Sequence, residues 1–171
     1  MRIAYDHQIF SLQSYGGISR YFARLAGEMG KMGDQIRVFS PAHRNNHVLD
    51  LPADSVQGRY ISRYPPATAW LFFHTGRLLS SRTMKFWQPD VVHETYYSSK
   101  PILWSDCPTI TTVHDMIQEL FPKDFSSRDN VARNKKLAVE RADHVICDSE
   151  NTRRDLIRLT GISEKKTSVV H

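Results

Sequence analysis

Two pairs of histidine and acidic residues follow short apolar segments of the sequence. His93 and Glu94 close the segment VVHE, and His114 and Asp115 follow TITTV. A neutral imidazole can donate or accept a hydrogen bond, and a carboxylate can bind hydroxyl groups or orient the imidazole. Each pair therefore predicts a polar site for a hydroxyl-bearing ligand. The alternative for His114 is a ring that simply bonds a backbone carbonyl.

A pair of glycines precedes a segment with helical periodicity. Gly16 and Gly17 stand before Ile18, and apolar residues recur at helical spacing as far as Met29. Glycines let a ligand approach the backbone, and the first amides of a helix favour an anion such as a diphosphate. An ordinary flexible turn explains the same pair. The sequence contains neither the three-glycine dinucleotide fingerprint nor the phosphate loop that ends in Gly-Lys-Ser/Thr.

Other polar residues follow the same strand-like segments. Tyr96 comes soon after His93 and offers a ring that can stack on a sugar, while Ser149 follows the segment HVICD. Ser149 is predicted to cap a helix with Glu150 in its first turn, and its surroundings, CDSEN, are not those of a hydrolase nucleophile. No metal centre is expected, because adjacent strand residues point to opposite faces of a sheet.

Apolar segments alternate with helical ones along the chain. Strands are predicted at Ile3–Tyr5, 35–40, Asp90–His93, Thr109–His114 and His144–Asp148. Helices are predicted from residue 18 to a stop at Gly33, and from the cap at Ser149 to Gly161. Residues 41–60 are predicted to be polar loop, and residues 167–170 begin a further element. The alternation predicts an α/β fold, a Rossmann-like parallel sheet with helices on both faces, whose ligands bind beyond the carboxyl ends of the strands.

The composition is that of an ordinary globular domain. The chain has 171 residues, of which 40% are hydrophobic and 24% charged, and its formal net charge is +5. This excess forms no Lys/Arg block dense enough to predict nucleic-acid binding. Two cysteines without redox or metal spacing indicate a reducing compartment, and the N-terminal segment resembles no signal peptide or membrane span. A cytoplasmic location is expected.

Residues 65–87 combine aromatic, aliphatic and basic side chains. They include Trp70, Phe86 and Trp87 together with Arg77, Arg82 and Lys85. The segment predicts either a helix that packs on the core, or an amphipathic surface that contacts the inner face of a membrane or a lipid-linked substrate.

The ordered set of motifs resembles a known family. The segments GGISRYF, PDVVHETYY, TITTVHDMIQELFP and ERADHVICDSENTRRDL resemble the N-terminal half of a GT-B fold glycosyltransferase of the retaining family 4. The resemblance spans nearly the whole chain. It implies transfer of a mannose-, glucose- or rhamnose-type hexose from a nucleotide diphosphate-sugar to a glycan or lipid-linked acceptor, in polysaccharide or lipopolysaccharide assembly, without a metal or other cofactor.

The resemblance also implies roles for individual residues. His114 would hold a hydroxyl of the donor sugar, and Asp115 would support the imidazole or bind the acceptor. The remaining residues of the implied cleft are Gly16, Gly17, Arg20, His93, Tyr96, Ser149 and Glu150.

A family member of this kind needs a second Rossmann-like domain for the donor. Residues 1–171 are therefore expected to form the acceptor-side domain, with its own C-terminal domain as a necessary partner and with little or no activity alone. One alternative is a non-catalytic α/β module that binds a nucleotide or a sugar. A small oxidoreductase is a further alternative, which the absent glycine fingerprint disfavours.

Overall fold

The computed structural model describes residues 1–103, 106–126 and 130–170, and these divide into two compact units. The first unit holds residues 1–95 and 102–107, and the second holds residues 96–101 and 108–171. Among the described residues, parallel strands pair in the order β3-β2-β1-β4 in the first unit and in the order β5-β6-β7 in the second. The predicted Rossmann-like α/β fold is confirmed.

The described residues of the first unit form four strands and three α-helices. In chain order these are β1 (Arg2–Tyr5), α1 (Gln8–Leu12), α2 (Gly17–Lys31), β2 (Gln35–His43), β3 (Val56–Tyr60), α3 (Ala69–Trp87) and β4 (Val91–Glu94). Two short 3₁₀ helices, His47–Asp50 and Ala53–Ser55, connect β2 to β3. Strand β1 pairs in parallel with both β2 and β4 and is therefore central in this unit.

Helices α2 and α3 pack on the two opposite faces of the paired strands β1 and β4. Tyr5 lies opposite His93, and both rings contact Phe22 of α2. Ala4 lies opposite Val92, and both pack with Met84 of α3. Consecutive strand residues point to opposite faces, so α2 and α3 cover opposite sides of the same strands.

In the part of the second unit that the structure describes there are three strands and three α-helices. In chain order these are β5 (Thr109–Val113), α4 (Ile117–Leu120), α5 (Val131–Arg141), β6 (His144–Cys147), α6 (Glu150–Thr160) and β7 (Thr167–Val169). Short 3₁₀ helices lie at Pro122–Asp124 and Glu164–Lys166. Buried Val113, Val139, Val145 and Leu156 form the centre of its core.

Most predicted boundaries are confirmed to within a few residues, including the ends of two helices. Helix α2 ends at Lys31, just before Gly33 with φ of +97°, and α6 ends before Gly161 with φ of +72°. These left-handed conformations are the ones that glycine adopts without strain.

The prediction of a polar loop over residues 41–60 is wrong, because β2 continues to His43 and β3 follows at Val56–Tyr60. Strand β3 lies at an edge and exposes three of its five residues, so its sequence lacks an apolar pattern. A Cβ atom at Gly58 would lie 1.7 Å from the Ser40 carbonyl oxygen, so only glycine fits at this point of the pairing.

Helix α3 packs one side on the first unit, as predicted, and the predicted contact with a membrane or a lipid-linked substrate stays a prediction. Gly76, Ser80 and Met84 of this helix are buried against the unit, whereas Trp70, Leu78 and Phe86 are exposed. No helix among the described residues is long and apolar enough to cross a membrane.

Candidate functional site

The imidazole of His114 is held by a carboxylate from the neighbouring strand. Val113 of β5 lies opposite Cys147 of β6, so the next residues, His114 and Asp148, emerge side by side at the carboxyl ends of the two strands. The Nδ1 atom of His114 lies 2.7 Å from Oδ2 of Asp148. With the proton on Nδ1 directed to this carboxylate, the Nε2 atom of the neutral ring is an acceptor.

The resemblance gives Asp115 two possible roles, support of the His114 imidazole or binding of the acceptor, and the structure shows its carboxylate in a backbone contact. The Asp115 carboxylate accepts a hydrogen bond from the Ile117 amide at 3.1 Å and so begins α4. Adjacent residues at a strand end point in different directions, whereas residues in register on neighbouring strands point the same way. The carboxylate that contacts the His114 ring here is that of Asp148, and the two roles predicted for the half-exposed Asp115 stay predictions.

A buried lysine fixes the backbone that follows His114. Lys135 of α5 is 2% exposed, and its Nζ atom donates to the Asp115 carbonyl and to Oε2 of Glu119, both at 2.9 Å. The same Nζ atom lies 5.5 Å from the centroid of the Tyr97 ring, and the Tyr97 hydroxyl accepts from the His114 amide at 3.4 Å. Tyr97 thus holds the peptide bond before His114, and Lys135 holds the peptide bond after Asp115. Sequence reasoning missed Lys135.

Ser149 is the N-cap of α6, as predicted. Its hydroxyl oxygen accepts from the Thr152 amide at 3.1 Å and donates to the Thr152 hydroxyl oxygen at 3.0 Å. The Thr152 hydroxyl in turn donates to the His114 carbonyl at 3.4 Å. Glu150 lies in the first turn, where a negative charge is favourable. The helix start is therefore joined to His114 by hydrogen bonds.

The glycine pair lies at the start of α2, and the two glycines differ in their surroundings. A Cβ atom at Gly16 would lie 2.1 Å from Oε1 of Gln13, the atom that accepts a hydrogen bond from the Ser19 amide. A Cβ atom at Gly17 would meet no atom within 4 Å. Gly16 thus makes room for the Gln13 amide that caps the helix, whereas Gly17 leaves open space beside the first turn.

Three further predicted residues occupy different environments. Arg20 is exposed on α2, whereas His93 is only 4% exposed and packs against Tyr5 and Phe22. The alternation of β4 turns the His93 ring under α2, and the predicted place of His93 in the cleft stays a prediction. Tyr96 is half-buried against the core of the second unit.

A buried carboxylate that the sequence analysis did not single out fixes the loop after β1. Asp6 is fully buried and accepts hydrogen bonds from the Thr95 amide and hydroxyl and from the Gln8 amide and side chain. His7 is also fully buried and contacts the Phe73 carbonyl through Nε2 at 3.0 Å. Burial lowers the pKa of His7. The sequence signal was the polar triplet Asp6-His7-Gln8 at the end of a buried strand.

The first unit also contains a groove of about 1030 Å³, which the polar residues at the ends of β1 and β4 do not line. It follows α2 from Arg20 to Lys31 and reaches the beginning of β2 at Gln35. Ligands of such sheets bind beyond the carboxyl ends of the strands, so we do not assign the site to this groove. Arg20 is the one predicted site residue among those that line it.

Among residues 1–103, 106–126 and 130–170, no three His, Cys, Asp or Glu side chains converge as ligands for a metal ion. The polar groups at the strand ends instead bond one another and the backbone. In the second unit the structure brings together His114, Asp148, Asp115, Ser149 and Glu150 at or just beyond the ends of β5 and β6. In the first unit it brings together Gly16, Gly17 and Arg20 at the start of α2.

Comparisons with solved structures agree with this fold. The UDP-GlcNAc 2-epimerase from Neisseria meningitidis, bound to UDP-GlcNAc, is similar with a TM-score of 0.64 and 14% identity over 99% of this chain and 45% of that one. A glycosyltransferase from Rickettsia africae ESF-5 is similar with a TM-score of 0.57 and 16% identity, over 99% of this chain and 42% of that one. The chain thus spans less than half the length of these proteins.

The sequence comparisons give one family. No curated protein sequence matches the chain. The family model described as Glycosyltransferase Family 4 matches residues 15–171, which include every site residue predicted from the sequence. This match covers far more than half of the chain, and the chain belongs to Glycosyltransferase Family 4.

Proposed function

We propose that the chain is the acceptor-side half of a retaining glycosyltransferase, which moves a hexose from a nucleotide diphosphate-sugar to a glycan or lipid-linked acceptor. The observation that carries this proposal is the contact between His114 and Asp148 at the ends of two adjacent strands, within a chain of this family. The UDP-GlcNAc bound to the similar epimerase supports a nucleotide diphosphate-sugar as the ligand class. We propose a sugar of the mannose, glucose or rhamnose type.

His114 acts on the donor sugar in this proposal. Asp148 holds the proton on Nδ1, so that Nε2 accepts a hydrogen bond from a sugar hydroxyl and keeps the ring oriented as the glycosidic bond to the diphosphate breaks. Nε2 is buried in this structure, and a ligand reaches it once neighbouring side chains move. This hydrogen bond strengthens as positive charge develops on the sugar ring, because the sugar hydroxyl becomes a stronger donor. The Asp148 carboxylate stabilises the partial positive charge that the imidazole gains from this stronger bond.

The start of α2 serves the other side of the reaction. The open space at Gly17 admits a ligand close to the first amides of the helix, where partial positive charge favours a phosphate. Arg20 is exposed one turn further on and reaches an anionic acceptor. Asp115 binds an acceptor hydroxyl, and Ser149 and Glu150 keep the start of α6 in place.

Donor binding depends mainly on a second domain in this proposal. The chain covers 45% and 42% of the two similar structures, which fits one half of a two-domain enzyme. Helix amides and cations of both halves stabilise the leaving diphosphate, and no metal is required. The setting we propose is polysaccharide or lipopolysaccharide assembly in the cytoplasm, and the chain alone has little or no activity.

The test is a transfer assay on the native protein that carries this chain. UDP-glucose, GDP-mannose and dTDP-rhamnose are offered with a glycan and lipid extract, and the release of nucleoside diphosphate is measured. The His114→Ala and Asp148→Ala variants should lose at least about 100-fold and 10-fold in kcat, whereas His74→Ala, at an exposed position on α3, should keep full activity. Equal activity in His114→Ala and the unmodified protein would remove His114 from the site, and binding of a donor without turnover would favour a non-catalytic module.

A further inference from the structure

The positive charge of the chain is concentrated in one segment. The 35 residues between Asp54 and Asp90 contain no Asp or Glu and five Lys or Arg, namely Arg59, Arg63, Arg77, Arg82 and Lys85. The rest of the chain holds the other 18 Lys and Arg against 18 Asp and Glu. The whole net charge of +5 therefore arises from this segment, which contains β3 and α3.

The outer face of α3 combines this charge with exposed apolar side chains. Trp70, Leu71, Leu78, Leu79 and Phe86 are 66%, 45%, 70%, 49% and 80% exposed. At 3.6 residues per turn, Leu71, Leu78, Arg82, Lys85 and Phe86 fall within an arc of about 100° around the helix axis. Arg82 and Lys85 are exposed as well. The arc is therefore one continuous apolar and basic surface, which we call the α3 outer face.

The opposite side of α3 is fixed to the first unit. The Ser80 hydroxyl donates to the Phe39 carbonyl at 2.7 Å, and Met84 is fully buried. A Cβ atom at Gly76 would lie 3.2 Å from the His7 ring, so the helix approaches the loop after β1 closely. These contacts leave α3 no freedom to rotate its outer face inward.

We propose that the α3 outer face docks on an anionic lipid bilayer. A helix with apolar and basic residues on one face lies in the plane of a membrane surface, with the apolar side chains at the acyl boundary and the cations among the head groups. A nucleic acid would neutralise the same cations but would leave Leu78 and Phe86 in water. The absence of acidic residues from the segment matches a negatively charged surface. This inference goes beyond the proposed glycosyl transfer and does not depend on it.

The test is sedimentation of the chain with 100-nm vesicles of phosphatidylglycerol and phosphatidylcholine in equal parts. Arg82→Gln/Lys85→Gln should lower the partition coefficient by about 30-fold, because each cation near an anionic surface contributes a factor of about five. Leu78→Ser/Phe86→Ser should lower it by about tenfold or more, because the apolar side chains lose their burial. Both pairs are exposed, so circular dichroism should show unchanged folding.

The matched control is Lys136→Gln/Lys165→Gln, which removes the same charge from exposed positions in the second unit. It should bind these vesicles within about twofold of the unmodified chain, and vesicles of pure phosphatidylcholine should bind none of the proteins well. Equal losses in the control and in Arg82→Gln/Lys85→Gln would overturn the proposal. So would the absence of vesicle binding, or binding to duplex DNA that exceeds vesicle binding and is indifferent to Leu78→Ser/Phe86→Ser.

Discussion

Replacement of Lys135 by methionine should destabilise the second unit strongly. Methionine has a similar length, so the change removes the charge and the hydrogen bonds of the Nζ atom and leaves little cavity. The Lys135 side chain is 2% exposed and its partner Glu119 is 17% exposed. Truncation of one partner of a buried ion pair costs about 3–5 kcal/mol, because the other charge is left buried without compensation.

The lower end of that range applies here, since Glu119 retains some contact with water. We therefore expect Lys135→Met to lower the free energy of unfolding by about 3 kcal/mol. Lys135→Met/Glu119→Gln should recover about 1–2 kcal/mol of this loss, because the variant buries no unpaired carboxylate. The lost bond to the Asp115 carbonyl at 2.9 Å should remain as the residual cost.

The assay is urea unfolding at pH 7, followed by circular dichroism and by tryptophan fluorescence to check that one transition describes both signals. Lys136→Met is the matched control, because the neighbouring Lys136 is 63% exposed and should change stability by less than about 0.5 kcal/mol. If Lys135→Met behaves like Lys136→Met, Lys135 does not hold the segment after His114, and the reasoning about that segment fails.

Four further predictions concern the first unit and the reaction. Gly17→Ala should raise the free energy of unfolding by about 0.5 kcal/mol, because the added Cβ atom meets no other atom and alanine favours a helix. Gly16→Ala should lower the free energy of unfolding, because its Cβ atom displaces the Gln13 amide. Thermal unfolding measures both changes, and equal effects would contradict the difference in surroundings. Asp6→Ala should lower the free energy of unfolding, measured with urea, by about 3 kcal/mol, because four buried hydrogen bonds to the carboxylate are lost. A decrease of less than about 1 kcal/mol would show that water replaces these bonds. Burial lowers the pKa of His7 below its value in the unfolded chain, so the contribution of neutral His7 to the free energy of unfolding is fully present above about pH 6.5 and is lost as the pH falls below that value. His7→Gln should therefore flatten the plot of the free energy of unfolding against pH between pH 7 and 5. An unchanged slope would exclude His7 as the origin of this pH dependence. EDTA at 5 mM should leave the transfer rate of the native protein within about twofold, and loss of activity that Mg²⁺ restores would contradict metal-independent transfer.

The sequence predicted the fold well because apolar strands and capped helices are local patterns. Ser149 and Gly161 are clear signals for the two ends of α6, and the structure places both as predicted. Strand β3 was missed because an edge strand buries few side chains and shows no alternation. Helix α5 was missed because its buried face carries a lysine, Lys135, beside Ala138 and Val139, which interrupts the apolar pattern.

The site was harder to predict because it depends on strand register. Asp115 is the neighbour of His114 in sequence, but Asp148 is its neighbour in space, since β5 and β6 pair in register up to Val113 and Cys147. The signal was available in the sequence, because TITTV-H and HVIC-D place a polar residue directly after each strand. Lys135 carried no such signal, because its role depends on where α5 packs.

The anomeric configuration of the first product tests the central claim most directly. The native protein is incubated with the donor that it turns over best, and the new glycosidic linkage is assigned by ¹H NMR during the first turnovers. Retaining transfer predicts that the product keeps the anomeric configuration of the donor and that its formation is lost in His114→Ala. A product of inverted configuration, or one that forms equally fast in His114→Ala, would contradict the assignment of this chain as half of a retaining glycosyltransferase with His114 at its site.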